Sequence, residues 1–216
     1  MRKVRENEDE YYRMVYQITA TPYDLMVQLD DLGVDFTKLT DYDLFIMSFE
    51  GFKGVDTSLV FGELDLSLFD MAISEDNSTI IFRNRQNGVV IDRSIHDQIC
   101  KGLRKIHHFK RNNKKPANAE AKKFMIDRAR VKLKRRKGRV EDSQLDEWIV
   151  ALVNTEQFNY NYESVLDISI YQFMESVYQV SWIKEYDNRM GGIYAGTVSP
   201  KDLDPKDLNW LSHDKM

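Results

Sequence analysis

The side chains able to do chemistry are few in this sequence, and their neighbours work against them. His107 and His108 are adjacent, but only Lys, Arg and apolar or amide residues stand three or four positions away. A metal ion would be repelled there, and the pair reads as a solvated loop. His96 stands beside Asp97 at the start of a predicted helix and reads as a surface cap, while His213 falls in the tail. Cys100 is the single cysteine, so no internal disulfide can form, and with four scattered histidines it offers no zinc pattern. Paired carboxylates recur, as in Asp30-Asp31, Glu63 with Asp65, and Glu141-Asp142. General acid–base or metal-assisted hydrolysis needs two of them held apart at a set distance in a cleft, and these fall at predicted caps and loops. Phosphate-cradling and nucleophile-elbow motifs are missing, and Gly191-Gly192 lacks both the preceding strand and the Lys-Ser/Thr that a phosphate loop requires. The expectation is a protein that is not an enzyme, with no catalytic residue, no metal site and no cofactor. A metal-dependent hydrolase built on the N-terminal acids is a further hypothesis that has only composition behind it.

Charge is more informative. The net charge is −4, yet residues 101–140 hold 17 Lys and Arg against two acids, Glu120 and Asp127, a local net of +15. Residues 1–100 carry a net of −10 and residues 141–216 a net of −9. A basic block of this kind has three readings: internal neutralisation within the fold or by the next subunit, an acidic protein partner, or nucleic acid phosphates. Only Phe109 and Phe124 are interleaved with its cations, fewer than a single-strand stacking platform uses.

The elements that would carry these residues follow from periodicity. Apolar residues make up 42% of the 216 residues, enough for a sizeable core, and there are only four Pro and ten Gly to interrupt it. No apolar run approaches the roughly 18 residues of a membrane span, and the charged start does not fit a signal peptide, so a soluble, intracellular protein is expected. Residues 1–10 are polar and read as a flexible start. Tyr11–Thr19 is rich in aromatic and β-branched residues and reads as a strand. Thr21 as N-cap and Pro22 at the first helical position predict a helix with Leu25, Met26 and Leu29 on one side and Gly33 as its stop. Thr40 or Asp41 caps a second helix with Leu44, Phe45, Met47, Ser48 and Phe49 turned inward. Residues 57–73 are ambiguous between helix and strand, with a helical turn in LDLSLFDM. Thr79–Phe82 and Val89–Ile91 around Asn87-Gly88 predict a β-hairpin. Asp92 or Ser94 caps a helix whose stripe is Ile95, Ile99, Leu103 and Ile106, with Cys100 beside it as a small core residue.

After a loop around Pro116, Ala121, Met125, Ala129 and Leu133 recur every four residues on a basic helix ended by Gly138. That stripe is narrow enough to dock but not to form a core alone. Leu145, Trp148, Ile149, Leu152 and Val153 mark the next helix, and FNYNY interrupts. A long helix then buries Ile170, Phe173, Met174, Val177, Val180 and Ile183 and ends at Gly191-Gly192. Two Pro-Lys-Asp-Leu units form single capped turns, and Trp210-Leu211 packs back. The expected fold is α+β and predominantly helical. Its expected parts are a flexible stretch (1–10), an N-terminal α+β domain with the hairpin (11–110), a basic loop and helix (111–140) and a helical C-terminal subdomain with a Pro-containing tail (141–216).

Candidate contact residues come from both charge and aromatics. Lys132, Lys134, Arg135, Arg136, Lys137 and Arg139 crowd the end of the basic helix. Tyr160, Tyr162 and Tyr194 stand outside any helical period, and Trp210 lies in the tail, which makes all four interface candidates.

The phrases LVNTEQFNYNYESVLDISIYQF, GGIYAGTV and KDLNWL, together with DDLGVDFTKLTDYDLF, VFGELDLSLF and VVIDRSIHDQICKGLRKIHHFK, resemble structural-module proteins of tailed bacteriophages and prophages of Firmicutes. Within those modules the chain is similar to tail assembly chaperones, which keep the tape measure protein soluble while the tail tube polymerises. The resemblance implies a phage tail or tape measure protein as partner, with homo-oligomerisation possible and no membrane. It also implies a helical C-terminal contact face that includes Trp148, Phe173, Trp182, Tyr194 and Trp210, and residence in the cytoplasm of the bacterial host. The alternative is a minor virion component of the tail, baseplate or head–tail connector, and a second alternative is nucleic-acid binding through residues 101–140.

Overall fold

A computed structural model describes residues 1–75, 79–136 and 143–210. In chain order the elements are α1 (Arg2–Glu6), α2 (Glu8–Thr19), α3 (Met26–Asp31), α4 (Asp41–Ser48), α5 (Ser58–Phe61), β1 (Phe69–Ile73), β2 (Ile80–Asn84), β3 (Val90–Ile91), α6 (Arg93–Ile106), α7 (Ala119–Arg136), α8 (Gln144–Val153) and α9 (Ile170–Tyr194). Short 3-10 turns lie between several of them, and the fold is a predominantly helical α+β arrangement. The chain divides into two compact units. One comprises residues 7–105 and 109–142, and the other residues 1–6, 106–108 and 143–216.

In the first unit, α2 occupies the segment whose β-branched and aromatic content predicts a strand. Tyr11, Met14, Val15 and Ile18 are buried at spacings of three, one and three, the signature of one helical face, and Glu8, Asp9 and Glu10 favour the N-terminal turn electrostatically. Burial of that face outweighs the weaker residue-type preference. Thr21 does not cap a helix at Pro22. Its N–H and Oγ1 both donate to Asp24 in a separate turn, and α3 begins at Met26. Gly33 does stop it, at φ +70°. Thr40 caps α4 through a capping box with Asp43. Tyr42 takes the inward position and Met47 is 52% exposed instead.

The ambiguous stretch resolves into α5, a 3-10 turn at Leu66–Leu68 and then β1, which pairs antiparallel with β2 to make a three-stranded sheet ordered β1-β2-β3. The predicted hairpin is present, with Phe82 opposite Ile91 and Arg83 opposite Val90. Its turn is held by Asn84 Oδ1, which accepts from the N–H groups of Gln86 and Asn87, and by Gly88 at φ +72°.

Asp92 caps α6, accepting from the Ile95 N–H at 2.8 Å. The buried side of α6 is one position round from the predicted stripe: His96, Cys100 and Leu103 are buried and Ile95 is exposed. His96 is therefore a core residue and not a surface cap. The main core joins Met14 and Ile18 of α2 to Tyr42, Phe45, Phe49, Phe52, Leu66, Phe69, Phe82, Ile91, Cys100 and Leu103. Phe49 stacks on Phe82 at 3.8 Å, and Phe45 meets both rings edge-on at 5.5 and 5.3 Å. A second cluster unites Ala20, Tyr23, Leu29, Phe36 and Leu44 with Ile126 of α7.

In the other unit, Ser143 caps α8 and a Ser169–Gln172 capping box starts α9. Leu145, Ile149, Leu152, Phe158, Val165, Ile168, Phe173, Met174 and Val180 are buried, whereas Ile170, Val177 and Ile183 are only half-buried. The chain's first residues belong here. The Met1 ammonium donates to Ile168 O at 2.9 Å, Arg2 pairs with Asp167 and Arg5 with Asp146, and Val4 is buried. His107 and His108 also belong here and are not a solvated loop. His107 is buried, and His108, at φ +52°, stacks on Tyr178 at 4.1 Å and lies 3.4 Å from Glu175.

The long helix passes through Gly191-Gly192 and ends at Tyr194. Gly196 at φ +71° turns the chain, so that the Thr197 and Val198 N–H groups both donate to Gly192 O. The two Pro-Lys-Asp-Leu turns form as expected, capped by Ser199 and Asp204. The tail returns to α9, where Trp182 Nε1 and Gln179 Nε2 donate to Asn209 O and Trp210 O at 3.4 Å. Gly138, Glu141-Asp142, Leu211 and His213 lie outside the described residues.

The two helical glycines are not equivalent. A Cβ on Gly192 would stand 2.8 Å from Val198 Cγ2, whereas one on Gly191 would meet nothing within 4 Å. Gly191→Ala is expected to stabilise by about 0.5–1 kcal/mol through helix propensity, and Gly192→Ala to destabilise. All three tryptophans, Trp148, Trp182 and Trp210, lie in this unit. Tryptophan fluorescence in urea therefore reads both effects, and shifts of the same sign would refute the close approach.

Candidate functional site

The basic segment resolves into two populations. Arg104 and Arg111 converge on Asp41, the first residue of α4. Arg104 Nη2 lies 3.3 Å from Asp41 Oδ2 and also donates to Thr19 O at the end of α2. Arg111 grips the same carboxylate with two N–H groups, at 3.0 and 3.2 Å. Lys101 pairs with Asp97 on its own helix. On α7, Lys122 lies 2.6 Å from Asp35 and 5.3 Å from the centroid of the Phe36 ring, and Arg130 pairs with both Asp30 and Asp31. Lys122 and Arg130 thus turn towards acids of the protein while staying partly exposed, and the buried residue between them is Ile126. Its neighbours from the expected docking stripe, Ala121, Met125 and Ala129, are half-buried, and Leu133 is exposed. Lys122, supported by Thr37, holds the Asp35 carboxyl well below the ordinary range.

The remaining cations of α7 are different. Lys123, Arg128, Lys132, Lys134 and Arg135 are exposed and have no ion pair among the described residues. Three of the sequence candidates, Lys132, Lys134 and Arg135, belong to this group. Arg136 is the last residue of α7, while Lys137 and Arg139 lie outside the described residues.

Of the aromatic candidates, Tyr160, Tyr162, Tyr194 and Trp210 are at the surface of the C-terminal unit, whereas Phe173, expected on the contact face, is fully buried in its core. Tyr160 and Tyr162 share the loop after α8. Tyr160 meets Phe158 at 5.2 Å and Tyr162 Oη accepts from Asn154 Nδ2, leaving Tyr162 53% exposed. Tyr194, 82% exposed, closes α9. Trp210 is half-exposed beside Gln179, and Tyr194 lies 15 positions further along α9, roughly 22 Å by helical rise. Tyr160 and Tyr162 therefore share one loop with separate partners, while Tyr194 stands apart from Trp210. Sequence reading missed Arg189, which lies over the Trp182 ring at 5.6 Å while pairing with Glu185 one turn back; the i, i+4 Glu–Arg spacing was the available signal.

A cavity of about 520 Å³ in the N-terminal unit is lined by Asp41, His96, Cys100, Arg93 and Arg111 among others. Cys100 Sγ lies 3.4 Å from His96 Nε2 and donates to Ile18 O. The spacing resembles a nucleophile and its base, but burial pushes the thiol up to about 11 and the imidazole down to about 4. At neutral pH the pair is held as thiol and neutral ring, the reverse of the thiolate–imidazolium state that activates a cysteine. Among the described residues no group of three or more His, Cys, Asp or Glu could hold a metal ion, and no helix is long and apolar enough to cross a membrane.

Against known proteins, residues 135–215 match the family model of the YomV second domain, a family of Bacillus prophage origin. The match starts in the last turn of α7 and runs through the C-terminal unit, so residues 1–134 lie outside it. It supports the phage half of the resemblance in the sequence, and that half only. No curated protein and no solved structure matches the chain.

Two predictions follow from the buried ionisable groups. Arg104→Met leaves Asp41 with Arg111 alone and is expected to cost roughly 2–3 kcal/mol. Cys100 is the only thiol and is buried, so its reaction with a thiol reagent in urea reports unfolding of this unit. Unchanged protection would refute the importance of the pair. Burial also lowers His107 to about 4, helped by His108. With both folded values below the ordinary 6.5, the unfolded chain takes up protons first, so stability is complete above pH 6.5 and falls as pH drops towards 4. The loss is roughly 3 kcal/mol for each histidine. His96→Gln should flatten the thiol-reported profile and His107→Gln the tryptophan-reported one.

Proposed function

We propose that this chain is a non-enzymatic phage morphogenesis protein that works by protein–protein contact, and that within this class it is a tail assembly chaperone acting on the tape measure or tail proteins. The observation that carries the reading is the phage-family match over the region that also exposes Tyr160, Tyr162, Tyr194 and Trp210. Exposed Tyr and Trp supply large, stiff contact area with a polar tip, which suits a surface that must release its partner as well as hold it.

The ion pairs of the basic segment weigh on the same side. Arg104, Arg111, Lys122 and Arg130 are engaged with acids of their own unit, which removes them from the cations that a polyanion would need. The working location on this reading is the cytoplasm of the bacterial host.

The test combines mass spectrometry of purified virions with a tagged pull-down from producing cells. Recovery of tape measure or tail protein in the pull-down, with the chain absent from virions, is expected. Stoichiometric presence in the particle would replace the chaperone by a virion component, and absence of phage proteins from both would overturn the class. Tyr162→Ala combined with Tyr194→Ala is expected to reduce recovery by about tenfold while leaving the tryptophan-reported urea midpoint in place.

A further inference from the structure

The helix α7 is 18 residues long, and among its described side chains only Ile126 is buried. Lys122, Ile126 and Arg130, each four residues apart, form the side that docks on Asp35, the Leu29–Phe36 cluster and Asp30-Asp31. The opposite side carries Phe124, Arg128, Val131 and Arg135, spaced by four, three and four, which is again a single helical stripe. Phe124 is 65% exposed and Val131 49%, a pattern that a helix with one partner does not need. Lys123, Lys132 and Lys134 flank this stripe with no ion pair among the described residues.

We propose that this outward stripe is a docking face for an acidic amphipathic helix of a partner protein. The inference rests on the reading that the chain acts by protein contact, and it gives α7 a partner chemistry distinct from that of the C-terminal aromatics. Charge complementarity selects the occupant. The cations left over on α7 outnumber Glu120 and Asp127, so a partner helix with a leucine-like stripe and acidic flanks would bury Phe124 and Val131 while neutralising the excess. A second copy of α7 would bring Arg128, Arg135 and the flanking lysines against their own kind. Nucleic acid is disfavoured because Asp127 and Val131 interrupt the face and Phe124 is its single aromatic.

The test uses the full chain and a labelled synthetic helical peptide about the length of α7, with leucines along one stripe and glutamates beside them. A scrambled peptide of the same composition and a short DNA duplex serve as competitors. Fluorescence anisotropy is expected to show binding of the amphipathic peptide that weakens about tenfold or more for Arg128→Glu with Arg135→Glu, and for Phe124→Ser with Val131→Ser. Cys100 protection confirms that these surface variants remain folded. Equal binding of the scrambled peptide, tighter binding of DNA, or no binding would each overturn the proposal, as would a concentration-dependent dimer in sedimentation that Phe124→Ser abolishes. If the peptide fails while tail proteins are still recovered through the C-terminal unit, this inference falls alone. If the peptide binds and no phage protein is recovered, the functional reading falls and the docking face stands.

Discussion

One carboxylate organises the N-terminal unit. The Asp41 side chain is largely removed from water, a state that costs several kcal/mol unless donors replace the lost hydration. The donors come from elements distant in sequence: Arg104 in the last turn of α6, and Arg111 in the extended segment that leads to α7. Arg104 also satisfies Thr19 O, one of the carbonyls that the end of α2 leaves without a helical partner. A single ion cluster therefore closes α2, α4 and α6 around the aromatic core. Apolar packing of Phe45, Phe49 and Phe82 provides the attraction, but attraction of that kind has little direction, and the Asp41 cluster adds directional contacts between the three helices.

The same logic runs on into α7 and gives the uneven charge of the sequence its structural meaning. An acidic N-terminal half followed by a basic stretch looks like a protein built to meet a polyanion. Much of the complementarity is internal: Asp30, Asp31, Asp35 and Asp41 meet Arg130, Lys122, Arg104 and Arg111. A basic helix with one buried apolar residue could not stay docked by the hydrophobic effect alone. Lys122 adds a cation–π contact with Phe36 to its ion pair, and it is this combination of charge and ring that fixes the rotation of α7 and so decides which of its cations point outward.

What could be read from the residues depended on whether the controlling interaction was local. Caps and turns are local, and Thr40, Asp92, the Asn87-Gly88 turn and the two Pro-Lys-Asp-Leu turns were legible because a side chain and its backbone partner lie within a few positions. Tyr11–Thr19 differs from its strand-like composition because the helical spacing of Tyr11, Met14, Val15 and Ile18 buries one face and outweighs residue-type preference. His96 and His107 look polar in sequence, and only long-range packing, with Phe45 4.4 Å from His96, turns them into core residues. The end of α9 was set too early because Gly191-Gly192 resembles a stop. The actual requirement is room at Gly192 for Val198, a contact that exists only after the chain has turned at Gly196. Tyr160 and Tyr162 are legible as aperiodic aromatics, whereas the sorting of the lysines and arginines into engaged and unengaged sets is not, since it depends on acids 63 to 100 positions away.

A surface group that already has an internal partner is poorly placed to serve an external one, because a new contact must first break the old. Arg104, Arg111, Lys122 and Arg130 are held in this way, and removing any of them takes a cationic partner from an acid of the same unit. Arg128, Lys132, Lys134 and Arg135 carry no such obligation among the described residues, and the Tyr194 ring is 82% exposed. Such groups stand on the outward side of α7, and exposed aromatics stand on the C-terminal unit, where the match to a phage domain family lies. Around Asp41, by contrast, the charges of the N-terminal unit hold it together, and burial keeps its thiol–imidazole pair neutral at physiological pH.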